Sequence, residues 1–262
     1  MKIATWNVNS VNARLPGVLQ WFDEAAPDVA CLQEIKCVDE KFPADAFEDR
    51  GYNVIVHGQK TYNGVALLSK HPVEDVVKGL PGDASDDQAR YVEALIAPDE
   101  AAPVRIAALY LPNGNPAPGP KYDYKLKWMA RLKKRAEKLL AQEEAFILAG
   151  DYNVIPADDD VHDPDAWRDD ALFRPQTHAA FRTLLNLGLT EAFRAIDPTP
   201  HAYSYWDYKA GAWNKDNGIR IDHLLASPQA ADRLGTVGID KHVRGREKPS
   251  DHVPVWTEIS CS

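Results

Sequence analysis

Phe146-Ile-Leu-Ala-Gly-Asp-Tyr-Asn153 is an apolar run of strand length that halts at a carboxylate and an amide. The same pattern recurs along the chain. Lys2–Asn7 is followed by Asn9, and 28–34 closes at Glu34 in Ala30-Cys-Leu-Gln-Glu34. Asp222 opens the apolar part of Arg220-Ile-Asp-His-Leu-Leu225, and Asp251-His252 precedes 253–259. Further strand-like runs lie at 52–57, 64–69, Tyr91–Ile96, Val104–Tyr110, 145–151, 221–226 and 236–241, many bounded by Gly, Pro, Asn or Asp. Apolar residues at helical spacing predict helices over 14–25, 123–142 and 177–187, the last stopping at Gly188 as a C-cap. About ten strands with few helices imply two packed sheets with helices outside; the mixed order leaves a doubly wound α/β sheet open. The Pro/Asp-rich stretch 156–175 reads as a long surface loop, of the kind that often carries function.

The bulk properties narrow the classes. The 262 residues, 45% of them hydrophobic, suffice for a sizeable core, read as one domain over 1–262. No uninterrupted apolar stretch approaches the roughly 18 residues of a membrane span, and the first residues lack the pattern of a secretory signal. Cys31, Cys37 and Cys261 are an odd number without ligand-pair spacing, which points to a reducing cytoplasm and against a disulfide framework. A net charge of −9 argues against affinity that rests on a broad basic surface. It is compatible with a nucleic-acid enzyme, because a metal site needs clustered carboxylates. The basic segments 121–138 and 241–248 read as solvated faces or as a local basic surface.

A carboxylate at a strand end is ordinarily a turn residue. Together, however, these residues fit one chemistry. Phosphodiester hydrolysis requires neutralised phosphate oxygens, an activated water and help for the leaving oxygen. Glu34 suits a Mg²⁺ ligand, with Asn7 and Asp251 as neighbours. Asp151 suits water activation, His252 suits phosphate, and Asp222 suits fixing the histidine tautomer. P-loop, nucleophile-elbow and zinc-ligand patterns do not occur in the chain.

The segments Trp6-Asn7-Val8-Asn9, Leu32-Gln33-Glu34-Ile35-Lys36, Tyr110-Leu-Pro-Asn113, Gly150-Asp-Tyr-Asn153, Arg220-Ile-Asp222 and Pro249-Ser-Asp-His252 follow in that order. They resemble the exonuclease III family of apurinic/apyrimidinic endonucleases, from Met1 to about Ile259. The resemblance implies an α/β fold of the deoxyribonuclease I-like class, a four-layer sandwich of two mixed sheets flanked by helices. It implies Glu34 as principal Mg²⁺ ligand, with Mn²⁺ able to substitute, assisted by Asn7 and Asp251. Asp151 would position or deprotonate the attacking water, with Asn153 orienting it. His252 would contact phosphate, paired with Asp222, and Tyr110 would lie near the scissile phosphate. Arg90 and Asn113 would contact DNA, and Lys36 would stand behind the metal glutamate. Tyr205 and Trp206 match an aromatic pair lining a pocket for a flipped-out abasic sugar, and Ile219 its third wall. The implied partner is double-stranded DNA with abasic sites or blocked 3′ ends, bound by a monomer. A phosphodiesterase acting on a lipid or inositol phosphate, or a non-catalytic binder that kept the fold, are the competing readings. One departure stands out. The loop after Asp151 reads Asp158-Asp-Asp-Val-His-Asp-Pro-Asp165 and then Trp167-Arg-Asp-Asp170. Such a loop repels DNA unless it faces away or binds cations.

Overall fold

The computed structural model of the chain describes residues 1–98 and 102–260, so Cys261 lies outside the described residues. Along the chain the strands are β1 (Lys2–Asn7), β2 (Val29–Gln33), β3 (Asn53–His57), β4 (Val65–Ser69), β5 (Val73–Lys78), β6 (Tyr91–Ile96), β7 (Val104–Tyr110), β8 (Phe146–Asp151), β9 (Thr190–Glu191), β10 (Asp222–Ala226), β11 (Leu234–Ile239) and β12 (Val255–Ile259). The helices are α1 (Val11–Ala25), α2 (Ala44–Glu48), α3 (Pro120–Leu140), α4 (Pro164–Trp167), α5 (Pro175–Leu185), α6 (Ala192–Ile196) and α7 (Pro228–Ala231). Among the described residues no helix is long and apolar enough to cross a membrane.

The strands form two six-stranded sheets, ordered β11-β12-β1-β2-β4-β3 and β5-β6-β7-β8-β10-β9. Each sheet holds a parallel pair, β1 with β2 and β7 with β8, and the remaining neighbours run antiparallel. Both sheets are therefore mixed, which removes the doubly wound alternative. Side chains alternate across each central strand, so one strand feeds two cores. Ile3, Val29 and Cys31 face the gap between the sheets and meet Ile106, Ala108, Ile147 and Ala149. Ala4, Trp6, Ala30 and Leu32 point outward and are covered by Val18, Trp21 and Phe22 of α1. Ala107, Leu109, Phe146 and Leu148 point outward from the second sheet, beneath Trp128 and Leu132 of α3 and Phe181 and Leu184 of α5. The order helix, sheet, sheet, helix is the four-layer sandwich expected from the resemblance.

Some local expectations change. β5 escapes the apolar pattern because Val-Glu-Asp-Val-Val-Lys is charged and lies at a sheet edge, where exposed side chains replace apolar alternation. β9 is only two residues long. β11 starts two residues earlier than the 236–241 run, since its glycines disguise the pattern. A Cβ at Gly238 would lie 2.4 Å from the Trp256 ring, so the missing side chain is what lets the indole cover the strand. α1 begins at Val11, three residues before the predicted start, with Ser10 Oγ accepting from Ala13 N–H. α5 stops at Leu185, and Gly188 turns the chain at φ 100° beyond it instead of capping the helix.

Gly150 precedes Asp151 on β8 and admits no side chain: a Cβ there would meet the Leu109 carbonyl oxygen of β7 at 2.0 Å. Gly150→Ala is expected to destabilise the fold by at least about 2 kcal/mol in urea unfolding, by forcing the parallel pair apart. An unchanged unfolding midpoint would show that β7 and β8 have room to spare.

Candidate active site

The parallel pairs deliver the C-terminal ends of β1, β2, β7 and β8 to one edge of the sandwich. β10 runs antiparallel to β8, so it arrives there with its first residue, and Asp222 sits opposite Asp151. Tyr110 sits opposite Asp151 on the other side. The turn before β12 adds Asp251 and His252. The side chain of Asn7 ties the two sheets: its Nδ2 donates to Glu34 Oε1 at 2.8 Å and to Asp151 Oδ2 at 3.0 Å. Its Oδ1 accepts from Asn9 N–H at 3.0 Å, and its carbonyl accepts from Ser250 Oγ at 2.7 Å.

Glu34, Asp151 and Asp222 each have a cationic neighbour. Glu34 receives the Tyr110 hydroxyl at 2.9 Å and the Lys36 ammonium at 2.8 Å. Burial pushes the Glu34 carboxyl up, but the Asn7 hydrogen bond and Lys36 outweigh it and hold the group below the usual carboxylate range. Burial likewise pushes the Asp151 carboxyl up, with His252 pulling down and Asp222 pushing up; here burial wins and the net direction is upward. His252 Nδ1 donates to Asp222 Oδ2 at 2.9 Å, while Nε2 faces Asp151 Oδ2 at 3.7 Å. Burial disfavours a charged His252, yet Asp222 and Asp151 win and raise it to about 10, so it is an imidazolium at neutral pH. Ser204 Oγ donates to the same Asp222 oxygen at 2.6 Å. Burial, with Glu34 and Asp151 nearby, keeps the Tyr110 phenol protonated. Asn153 N–H donates to Asp151 Oδ1 at 2.8 Å, and Asn113 Nδ2 donates to Asn153 Oδ1 at 3.0 Å.

These groups open into a cavity of about 290 Å³. Glu34, Tyr110, Asn113, Asp151, Asn153, Asp251 and His252 line its polar side; Trp167, Leu172, Tyr205, Ile219 and Ile221 line its apolar side. Trp206 is corrected: it is fully buried, packed edge-on against Trp213 and Tyr203, with its indole N–H on Asp216 at 2.9 Å. Successive residues of extended chain point to opposite sides, so Tyr205 facing the cavity sends Trp206 into the core. Tyr205 bridges to both Ile219 and His252, and its ring stands edge-on to His252 at 4.9 Å. Arg90 lies outside this lining. Its guanidinium stacks over the Tyr110 ring at 4.8 Å and donates to Gln88. Lys36 also reaches Asn9 Oδ1 at 2.5 Å, and Asn9 Nδ2 reaches Asp251 Oδ1 at 3.0 Å.

Part of the acidic loop is paired. Asp160 is buried between Arg194 and Arg220, at 2.7 and 2.8 Å. Asp158 and Asp165 share Arg168, Asp163 caps α4, and Asp170 accepts from Asn115. The loop thus folds onto the segment carrying Ile219 and presents Trp167 to the cavity. Sequence reasoning gives Trp167 no role, although an indole within an acidic stretch is the signal that could find it. Ile221 is legible from Ile219 by period two. Ser204 and Lys125, which is fully buried beneath the site, carry no local signal.

Asp151, Asp222 and His252 place ligand atoms within 4.8 Å of one another, a spacing that could hold a metal ion. Glu34 and Asp251 line the same cavity and bring further carboxylate oxygens to it. Asp222 Oδ1 is buried without a hydrogen-bond partner, a free acceptor at the centre of the cluster.

Comparison with known proteins finds relatives along nearly the whole chain. The profile of the Endonuclease/Exonuclease/phosphatase family matches residues 4–252. The exodeoxyribonuclease III of Haemophilus influenzae is 36% identical over 267 aligned residues, covering 99% of this chain and 100% of that protein. An AP endonuclease from Archaeoglobus fulgidus superposes with a TM-score of 0.93 at 36% identity, covering 99% of both chains. A 3′ phosphatase from Neisseria, solved with a product DNA hairpin, gives 0.92 at 38% identity, again covering 99% of each.

The Asp222–His252 pair is open to direct spectroscopic measurement. In an NMR titration His252 stays protonated through neutral pH, with a midpoint at about 10. In Asp222→Asn the strongest partner that holds the proton is gone, so the midpoint falls toward the ordinary histidine value. An unmoved midpoint would mean that Asp222 does not set the charge of His252.

Proposed function

Because the chain belongs to the endonuclease/exonuclease/phosphatase family, and within it to the exonuclease III family, we propose that it is a DNA-repair nuclease that cuts 5′ to an abasic site. The same centre removes 3′ phosphates and 3′ nucleotides, since all these substrates present a phosphoester to one site. The substrate is double-stranded DNA, and the enzyme acts as a monomer. The observation that carries this reading is the bridge from Asn7 to Glu34 and Asp151 beside a charged His252, at the floor of a cavity with one apolar wall.

Asp151 accepts a proton from the attacking water, and Asn153 orients that water. The imidazolium of His252 and the phenol of Tyr110 donate to the phosphate oxygens. The water oxygen bonds to phosphorus as the bond to the 3′ oxygen breaks, and the leaving 3′ oxygen takes a proton from solvent. The products are a 3′-hydroxyl and a 5′-deoxyribose phosphate. Glu34, with Asn7 and Asp251, would hold Mg²⁺ or Mn²⁺, which supplies charge neutralisation for the phosphate and the leaving oxygen. Both ring nitrogens of His252 face carboxylates, which keeps its lone pairs protonated and favours the Glu34 set over a set containing His252.

Tyr205, Ile219, Ile221 and Trp167 form a wall suited to a sugar that has lost its base, since extrusion costs least where pairing and stacking are already gone. Asn113 in the cavity lining and Arg90 beside Tyr110 would contact phosphate, and the Lys36 ammonium pairs with Glu34.

A labelled duplex with one abasic analogue tests the reading. Wild-type chain is expected to incise in Mg²⁺, and Asp151→Asn to lose roughly 10²–10⁴-fold in rate with binding retained. Binding without incision by the wild type would make the chain a binder. Near-normal cutting by the variant would remove Asp151 from its role.

A further inference from the structure

The segments that follow β7 and β8 carry Asn113 and Asn153, and a buried cation joins them from below. Lys125 of α3 is fully buried. Its Nζ donates to the carbonyl of Asn113 at 3.0 Å and to the carbonyl of Asn153 at 2.5 Å. Its stem packs against Gly114, where a Cβ would lie 2.7 Å from Lys125 Cδ. The chain at Gly114 has φ 92°, so this close approach needs the glycine twice over. Burial pushes the ammonium down to about 7, opposed by the pull of Asp151 and Asp170. An apolar residue of similar length would fill the space without that desolvation, so packing alone does not account for a lysine here.

What the ammonium holds is the residue that touches Asp151. Asn153 sits at φ 48°, a left-handed conformation that a non-glycine residue adopts only where its surroundings hold it. Its N–H reaches Asp151 Oδ1, its Nδ2 reaches the Leu111 carbonyl at 3.0 Å, and its Oδ1 accepts from Asn113. Lys125 takes the carbonyl of the same residue, so every polar group of Asn153 is engaged.

We propose that Lys125 is a positioning residue for hydrolysis: by drawing the Asn113 and Asn153 carbonyls onto one ammonium, it fixes the amide of Asn153 against Asp151 and the attacking water. It does not touch substrate. The proposal rests on the nuclease reading, and its effect belongs in the chemical step and not in DNA binding, because a small displacement of a water-orienting amide costs rate far more than affinity.

The test is a double-mutant cycle of Lys125→Met with Asn153→Ala, read as kcat and KM on the abasic duplex in Mg²⁺. Lys125→Met is expected to lower kcat roughly 10- to 100-fold with KM little changed, and to cost almost nothing further once Asn153 is alanine. Lys125→Gln, which keeps a donor for one carbonyl, is expected to fall in between; it takes the place of the methionine variant in the cycle if that variant fails to fold. An unchanged kcat, a change confined to KM, or a loss that persists in the Asn153→Ala background overturns the proposal. Wild-type chain that does not cut is the separate result that ends the nuclease reading instead.

Discussion

One amide nitrogen joins the two halves of the molecule. Asn7 ends β1 in the first sheet, and its two N–H bonds reach Glu34, just after the neighbouring β2, and Asp151 in the other sheet. The group is fully buried, so neither carboxylate can exchange it for water. Two carboxylates this close would otherwise repel, and one would take up a proton or swing away. The parallel pairs bring the ends of β1, β2, β7 and β8 to this edge, and the amide turns that coincidence of ends into a fixed geometry.

The same economy of charge runs through the rest of the structure. His252 lies between Asp222 and Asp151, Lys36 lies against Glu34, and Asn9 spans Lys36 and Asp251. Farther out, Arg220 is buried between Asp160 and Glu191, which anchors the acidic loop to the segment that carries Ile219 and leads into β10. The net charge of −9 therefore describes an enzyme whose key carboxylates are already committed. Glu34 and Asp151 face the cavity as paired groups, not as a bare acidic surface.

Much of this is legible along the chain, and the failures share a cause. Central strands show as apolar runs because both of their faces are buried, and the polar residues at their ends mark the site. β5 and β9 are hidden because an edge strand and a two-residue strand bury too little to leave a pattern. Trp206 and Trp167 exchange roles for a geometric reason. Which side of an extended segment faces the cavity is set by pairing with Ile219 and His252, which lie well beyond it along the chain. Lys125 reads as one more cation on a basic helix, because the carbonyls it binds belong to loops that reach it only when α3 covers the second sheet.

We propose that Glu34, steadied by Asn7 and joined by Asp251, holds the divalent cation while Asp151 and His252 stay with water and phosphate. Anomalous diffraction from crystals soaked in Mn²⁺ tests it most directly. The expected result is a manganese peak against the Glu34 carboxylate, with the Asp222–His252 hydrogen bond intact. A peak held by Asp151, Asp222 and His252, with Glu34 bare, would contradict it.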